Sequence, residues 1–475
     1  MFSGDHFYLI FQWLYALTAV GVVIVVISEN RNPVKTLAWV LVLLLLPLFG
    51  LFIYYFFGED NRKRRLISRK MKKKLNRNAL RSFDLFDVQT PPSEYKRLSA
   101  LLNELGDSPI YGGNNLQFYS NGKDKFEDLL AAIRKAQKHI HIQYYIFMDD
   151  ETGRQLRDLL VEKAKEGVEV RLLYDDVGSW KAKSEFFKDM EKEGVMVTPF
   201  LKVAFPLLTS RVNYRNHRKV VVIDGEIGFM GGMNIADRYI NGLSEGRVWR
   251  DSHFKLEGKA VHGLQASFII DWYAARKEFL ASSKYFPELP YRGDAIMQIA
   301  TSGPVGEFKE IHQGIFHAIS NAQKNIYIQT PYFIPTDSLL LALQTAAQSG
   351  VDVCLMLPEH SDTTFVHIAS MSYIKDLLQA KVKVYFFKPG FLHSKLMLVD
   401  DSLVITGSAN MDVRSFEHNF EIDVFVYSGT VAAKCKEIFM ADMADSVQLS
   451  HEKWRKRPRW KRFSESLLRL LTPLL

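Results

Sequence analysis

The feature that most limits how this chain can fold is that it repeats itself. His217-Arg-Lys219-Val-Val-Val-Ile-Asp224, followed by Gly231-Gly232-Met-Asn234, has a counterpart in His393-Ser-Lys395-Leu-Met-Leu-Val-Asp400, followed by Gly407-Ser408-Ala-Asn410. Both obey H-x-K-x4-D-x6-G-[GS]-x-N, a pattern too long to recur twice by accident. Upstream the agreement continues. An amphipathic stretch ending in Ala-Gln-Lys runs into Ile-x-Ile-Gln at 140–143 and again at 326–329, and a Gly-Val turn leads into a second apolar strand at 166–170 and at 349–353. Helical and strand periods alternate, as in α/β units, and two long copies mean paired half-domains where a solenoid would show many short ones. The expected fold class is therefore α/β: two pseudo-symmetric α-β-α half-domains sharing one active site, at 106–290 and 291–445.

Ahead of the repeat lie two uncharged apolar stretches, 7–27 and 37–57, each 21 residues long and each close to the ~20 needed to cross a bilayer core. They predict a transmembrane hairpin over 1–58. The first six residues hold no Lys or Arg, unlike a secretory signal. A dense basic block, Arg62 to Arg77, follows the second stretch. By the distribution of cations it places everything after residue 58 in the cytoplasm and offers an anionic membrane surface a partner. Residues 59–105 read as a basic juxtamembrane linker, and 446–475, mixing Trp454 and Trp460 with eight or more cations, as a basic amphipathic membrane-proximal tail. With a bilayer next door, nucleic acid is not an expected partner. Two cysteines among 475 residues exclude a disulfide scaffold and a thiolate metal cluster. A hydrophobic share of 47% with 24% charged excludes wholesale disorder.

Residues two apart on a strand share a face, so His217 points with Lys219 and His393 with Lys395, while Asp224 and Asp400 fall on the opposite parity and read as structural. The Gly-rich turn returns Asn234 and Asn410 toward the imidazoles. Each half then supplies an imidazole, an ammonium and an amide. That set suits displacement at phosphorus: one imidazole attacks, the other moves the proton of the leaving and incoming hydroxyls, and cations and amides hold the phosphate oxygens. Two lysines stand where a divalent cation would, so neither a metal nor a cofactor is expected. A neutral imidazole is usually fixed in one tautomer by a carboxylate. Glu421 stands 28 residues after His393; for the first half the same count gives Glu245, but strand context favours Asp251.

The duplicated His-Lys-Asp signature resembles the phospholipase D superfamily. With the two apolar stretches, IQTPYF (328–333), GGMN (231–234), WRDSH (249–253) and SANMDVRSFEHNFE (408–421), the chain is similar to its bacterial cardiolipin synthases in particular. The resemblance implies His217, Lys219, Asp224, His393, Lys395 and Asp400 as the catalytic signature, with Asn234 and Asn410 stabilising phosphate and Asp251 and Glu421 orienting the histidines. It further implies transfer of a phosphatidyl group between two phosphatidylglycerol molecules, giving cardiolipin and glycerol, with His217 as nucleophile, by a multi-pass protein of the bacterial plasma membrane. An anchored phospholipase D hydrolase or nuclease shares the chemistry, as does a phosphatidylserine synthase. A lipid-binding scaffold has no need of two matched proton-transfer sites.

Other residues carry weaker signals. His139 and His141 alternate beside Gln143 and read as packed or surface residues. Gln143 and Gln329 hold equal places in the repeat, serving either the fold or the floor of the site. Arg211, Arg215 and Arg414 lie near the motifs and can hold a lipid phosphate. The apolar stretch 200–208 is either an acyl-chain entrance or a core segment.

Overall fold

The computed structural model describes residues 4–28, 33–46, 49–54, 90–203, 213–243, 246–304, 308–470 and 472. The chain separates into two compact units, Met1–Lys63 with Val203–Tyr214, and Arg64–Lys202 with Arg215–Leu475.

In the first unit the helices are Gly4–Ser28, Pro33–Leu45 and Phe49–Ile53. The Tyr15 hydroxyl donates to the Leu43 carbonyl at 2.6 Å, and Trp39 meets Tyr54 edge-on. Of the stretch expected as one span over 37–57, residues 47–48 and 55–57 lie outside the described residues, and the described helices are Pro33–Leu45 and Phe49–Ile53. Thirteen helical residues rise only about 20 Å, short of a hydrocarbon core of ~30 Å. Among the described residues no helix is long and apolar enough to cross a membrane, so the predicted transmembrane hairpin is not seen in the structure.

The second unit is built on a sheet of 15 strands among the described residues. The first half contributes, in spatial order, Tyr111–Tyr119, His253–Glu257, Ile227–Gly231, Val220–Ile223, His139–Tyr144, Glu169–Asp175 and Met196–Phe200. The second half repeats this order with Ala295–Ser302, Glu421–Tyr427, Leu403–Gly407, Leu396–Val399, Asn325–Gln329, Asp352–Pro358 and Lys383–Phe387. The halves meet where Tyr111–Tyr119 runs antiparallel to Ala295–Ser302. The repeat in the sequence is thus a repeat in sheet topology, and helices such as Gly122–Arg134 and Glu310–Asn321 bury their apolar stripes on the faces.

Two expected boundaries shift. Residues 59–89 of the linker lie outside the described residues, but Lys96–Gly106 is a helix whose Leu98 and Leu102 are buried with Ile311 and Ile315. Its apolar face is needed to close the core of the second half, so the linker ends before it. The tail is likewise not all appended. Ser446–Gln448 pairs antiparallel with Lys383–Phe387 at the sheet edge, and helices His451–Arg455 and Arg459–Leu470 follow.

Asp224 and Asp400 close the turn after each motif strand. Asp224 accepts the backbone N–H groups of Gln137, Lys138 and His139 at 2.7–2.9 Å. Asp400 does the same for Gln323, Lys324 and Asn325. Both adopt positive φ, 55° and 52°, which a short polar side chain tolerates best. Each carboxylate fixes the start of the neighbouring antiparallel strand, where a charge-assisted acceptor matters most. Asp224→Asn keeps the turn but loses one acceptor and the charge. It is expected to cost about 1–3 kcal/mol of stability, read as a lower urea midpoint, while the folded fraction keeps its kcat.

Candidate active site

Each motif histidine sits just after a short backbone link to the opposite half. The Phe420 N–H donates to Arg215 O and the His217 N–H to Phe420 O, both at 2.9 Å. In the other half, Gly390–Leu392 runs parallel to Val248–Arg250, and the His393 N–H donates to Arg250 O at 2.6 Å. The residues that follow these contacts, Glu421 and Asp251, therefore stand beside the histidine of the other half. His217 Nδ1 lies 3.0 Å from both Glu421 oxygens, and His393 Nδ1 lies 2.7 Å from Asp251 Oδ2. Counting along one half had set Glu421 with His393 and Asp251 with His217; the structure pairs them crosswise. Glu245 is outside the described residues. Strand register makes Asp251 the counterpart of Glu421, since each lies two residues before the partner of the motif glycine, His253 opposite Gly231 and Asp423 opposite Gly407.

The variable Gly or Ser of the motif follows from the carboxylate it serves. Ser408 Oγ donates to Glu421 Oε2 at 2.5 Å. At Gly232 a Cβ would stand 2.0 Å from Asp251 Oδ1, so the first half has room for no side chain there.

Behind the carboxylates lie two matching buried clusters. Arg218 pairs with Asp271 and donates to the Glu421 carbonyl, while Arg250 pairs with Asp442 and donates to the Asp251 carbonyl. Gln143 donates to Asp271 at 2.6 Å and Gln329 to Asp442 at 2.7 Å. The glutamines serve these clusters and not the floor of a site. His139 and His141 are packed around Gln265 and Tyr285.

His217, His393, Asn234 and Asn410 line one cavity of about 360 Å³, with Arg215 and Arg414. Asn234 accepts from Ile146 N and donates to the Tyr239 hydroxyl; Asn410 donates to Asp412, and its Oδ1 has no partner among the described residues. The lysines lie just behind the rings. Lys219 Nζ donates to His217 O at 2.6 Å, and Lys395 Nζ donates to His393 O at 2.5 Å while standing 3.1–3.2 Å from both ring nitrogens. Asp224 and Asp400 are at the far ends of their strands, bonded to backbone, so the catalytic label the signature gives them does not match their position. Arg211 and residues 204–208 are outside the described residues; Phe200 is in the core.

Burial governs the electrostatics. It pushes His217 below its usual pKa against the pull of Glu421, and, with Lys395, takes His393 down to about 4. Burial would raise Asp251 and Glu421, yet the adjacent His393 and Lys395, and His217 and Lys219, hold both below the usual carboxylate range. The resting pairs are therefore neutral imidazoles donating Nδ1–H to carboxylates, with the proton-free Nε2 of His393 facing Lys395 Nζ at 3.2 Å. Burial also takes Lys219 down to about 7.

Several cavity residues escaped the sequence reading. Tyr145 packs edge-on against His217, Trp249 packs on His393, and Asn419, also on the wall, donates to Glu421 at 3.0 Å. Asn419 alone had a readable signal, lying two residues ahead of Glu421, which opens the strand Glu421–Tyr427.

Two half-domains joined edge to edge, each presenting to one cavity a carboxylate-held imidazole backed by a lysine, define a phosphodiesterase-type transferase of the phospholipase D class. The comparisons narrow it. The family model "Cardiolipin synthase, PLD-like domain" matches residues 129–272 and 315–443, and a "Phospholipase_D-nuclease N-terminal" model matches 16–59. The major cardiolipin synthase of Bacillus subtilis is 40% identical over 471 residues, 97% of this chain and 98% of that one. A cardiolipin synthase of Geobacillus is 40% identical over 469 residues, 97% and 93% of the two chains. The chain belongs to the cardiolipin synthase family, and cardiolipin synthase activity is the function these matches support. A crystal structure of phosphatidylserine synthase from Haemophilus influenzae superposes with a TM-score of 0.61 at 15% identity, covering 80% of this chain and 97% of that one; it shows the shared fold.

Gly232→Ala is expected to dislodge Asp251 from His393 and lower kcat on the order of 10²-fold with little change in unfolding midpoint. Ser408→Ala, which fits its site and loses the donor to Glu421 and the acceptor of the Ile422 N–H, is expected to cost about tenfold or less. Steady-state kinetics with a thermal melt of each variant separates the two.

Proposed function

We propose that the cavity transfers a phosphatidyl group from one phosphatidylglycerol to the terminal hydroxyl of another, reversibly, through a phosphohistidine on His217. The observation that carries this reading is the pair of imidazoles on one cavity wall, each with Nδ1 on a buried carboxylate. His217 Nε2 attacks phosphorus, the bond to the glycerol oxygen breaks, and His393 gives that oxygen a proton. A second phosphatidylglycerol then enters. His393 takes the proton of its terminal hydroxyl, the oxygen attacks phosphorus, and the P–N bond breaks to yield cardiolipin. Glu421 stabilises the positive charge that forms on His217. The bound phosphate monoanion opposes the pull of Lys395 and raises His393, so that its Nε2 carries the proton given to the leaving oxygen. Lys219, Lys395, Asn234 and Asn410 supply positive charge and amide donors for the phosphate oxygens.

The substrate reading includes a membrane seat: multi-pass attachment to the bacterial plasma membrane with the catalytic unit on the cytoplasmic side. It is supported by the outward-facing Trp13, Leu17 and Leu45 of the first unit, at 69%, 68% and 73% exposure, by the N-terminal family match at 16–59, and by the cations of 62–77. Those cations also suit an anionic membrane surface.

Reconstituted protein given radiolabelled phosphatidylglycerol alone is expected to release glycerol and form a four-chain lipid. Phosphatidic acid as sole product overturns the reading in favour of hydrolysis. His217→Ala and His393→Ala are each expected to abolish turnover, with His393→Ala retaining a trappable phosphohistidine from an activated donor; near-normal rates in either reject the two-imidazole scheme.

The pH profile follows from Lys219. Its cation is present below about 7 in the free enzyme and lost above, so kcat/KM is expected to fall as pH rises through that value. A bound phosphate anion raises the lysine, so the decline in kcat is expected at higher pH. Coincident basic limbs in the two profiles count against a phosphate contact for Lys219.

A further inference from the structure

The helix Arg459–Leu470 has one side committed to the protein and one side to solvent. On the inner side Arg469 donates to Asp376 at 2.9 Å and lies over Tyr373, Glu465 takes two bonds from Arg457 at 2.6 and 3.0 Å, and Leu468 packs on the second-half core. On the outer side stand Trp460, Phe463, Leu467 and Leu470, exposed by 68%, 71%, 51% and 75%. Their spacing of three, four and three residues places them in an arc of roughly 80°. Exposed cations border the stripe: Arg455, Lys456, Arg459, Lys461 and Arg462. The nearby acids, Glu452 and Glu465, are already paired with Lys456 and Arg457, so the exposed cations other than Lys456 have no ion-pair partner among the described residues. An apolar stripe containing an indole and edged by cations is the pattern of a helix lying in a lipid interface, and its charge is complementary to anionic headgroups.

The helix beneath it, Thr364–Gln379, supplies Tyr373 and Asp376 to these contacts, while its opposite end borders the cavity through Thr363 and Val366. Between those two residues Phe365 is exposed. We propose that Trp460, Phe463, Leu467 and Leu470 lie in the headgroup–acyl boundary of an anionic phospholipid bilayer, with Phe365 as a second contact at the cavity rim. Lipid then reaches the cavity without leaving the membrane surface; this last clause rests on the lipid-substrate reading above, whereas the docking does not.

The test uses the full chain with Leu470→Cys carrying a water-sensitive fluorophore; Cys354 and Cys435 are buried, so the new thiol is labelled selectively. In nanodiscs of phosphatidylcholine with phosphatidylglycerol the label is expected to be shielded from iodide. Shielding is expected to drop in phosphatidylcholine alone, and to vanish with Trp460→Ser plus Phe463→Asp, both at exposed positions that the fold does not need. Equal iodide access in the two lipids, shielding retained in the double variant, or shielding that grows with protein concentration, as a second copy would produce, overturns the proposal. No turnover is needed for that readout, so it stands or falls apart from the assigned chemistry. For the lipid-delivery clause, the double variant is expected to raise KM for phosphatidylglycerol in nanodiscs about tenfold and to leave kcat on short-chain, detergent-dispersed phosphatidylglycerol unchanged. An unchanged KM in nanodiscs overturns that clause.

Discussion

Two backbone bonds, His217 N–H to the Phe420 carbonyl and His393 N–H to the Arg250 carbonyl, hold the two halves of the site in register. Each ties a motif histidine to the residue before the carboxylate that orients it. Because both are main-chain contacts, they fix the backbone of each histidine beside that of its carboxylate, within reach of the imidazole–carboxylate bonds at 2.7–3.0 Å. Neither half holds a complete site by itself. A half without its partner has a histidine with no carboxylate and a carboxylate with no histidine, both buried in positions that burial alone makes unfavourable.

The support behind these bonds is nearly as symmetric as the bonds themselves. Arg218 with Asp271, and Arg250 with Asp442, clamp the carbonyls of Glu421 and Asp251 and are tied by Gln143 and Gln329 to equivalent strands. The electrostatic cost of burying histidines, lysines and carboxylates together is met by mutual pairing, which leaves the imidazoles neutral and the carboxylates charged. Symmetry stops at the motif's variable position, where Ser408 feeds the longer Glu421 and Gly232 makes way for the shorter Asp251. It stops also at the lysines: Lys395 reaches both ring nitrogens of His393, whereas Lys219 bonds the carbonyl of His217.

Much of this was legible along the chain. The duplicated pattern gave the two half-domains, the α/β class, the paired imidazoles and lysines, and the separation of Asp224 and Asp400 onto the other parity. Asp251 and Glu421 could be picked out by strand context. Their crosswise pairing could not, because it depends on contacts spanning 204 and 142 residues, and periodicity within a half is blind to which half a strand edge will meet. The helix at Lys96–Gly106 was hidden inside a stretch that its cationic neighbours made look like a linker.

The sequence by itself determined the unit of construction and its reagents, since strand parity and a long repeated motif depend only on residue order and the two-residue pleat. Tertiary structure alone decided which carboxylate holds which imidazole, why Gly stands in one copy and Ser in the other, and which face of the helix Arg459–Leu470 is left in solvent. Those depend on distances between segments that only a folded sheet brings within hydrogen-bonding reach.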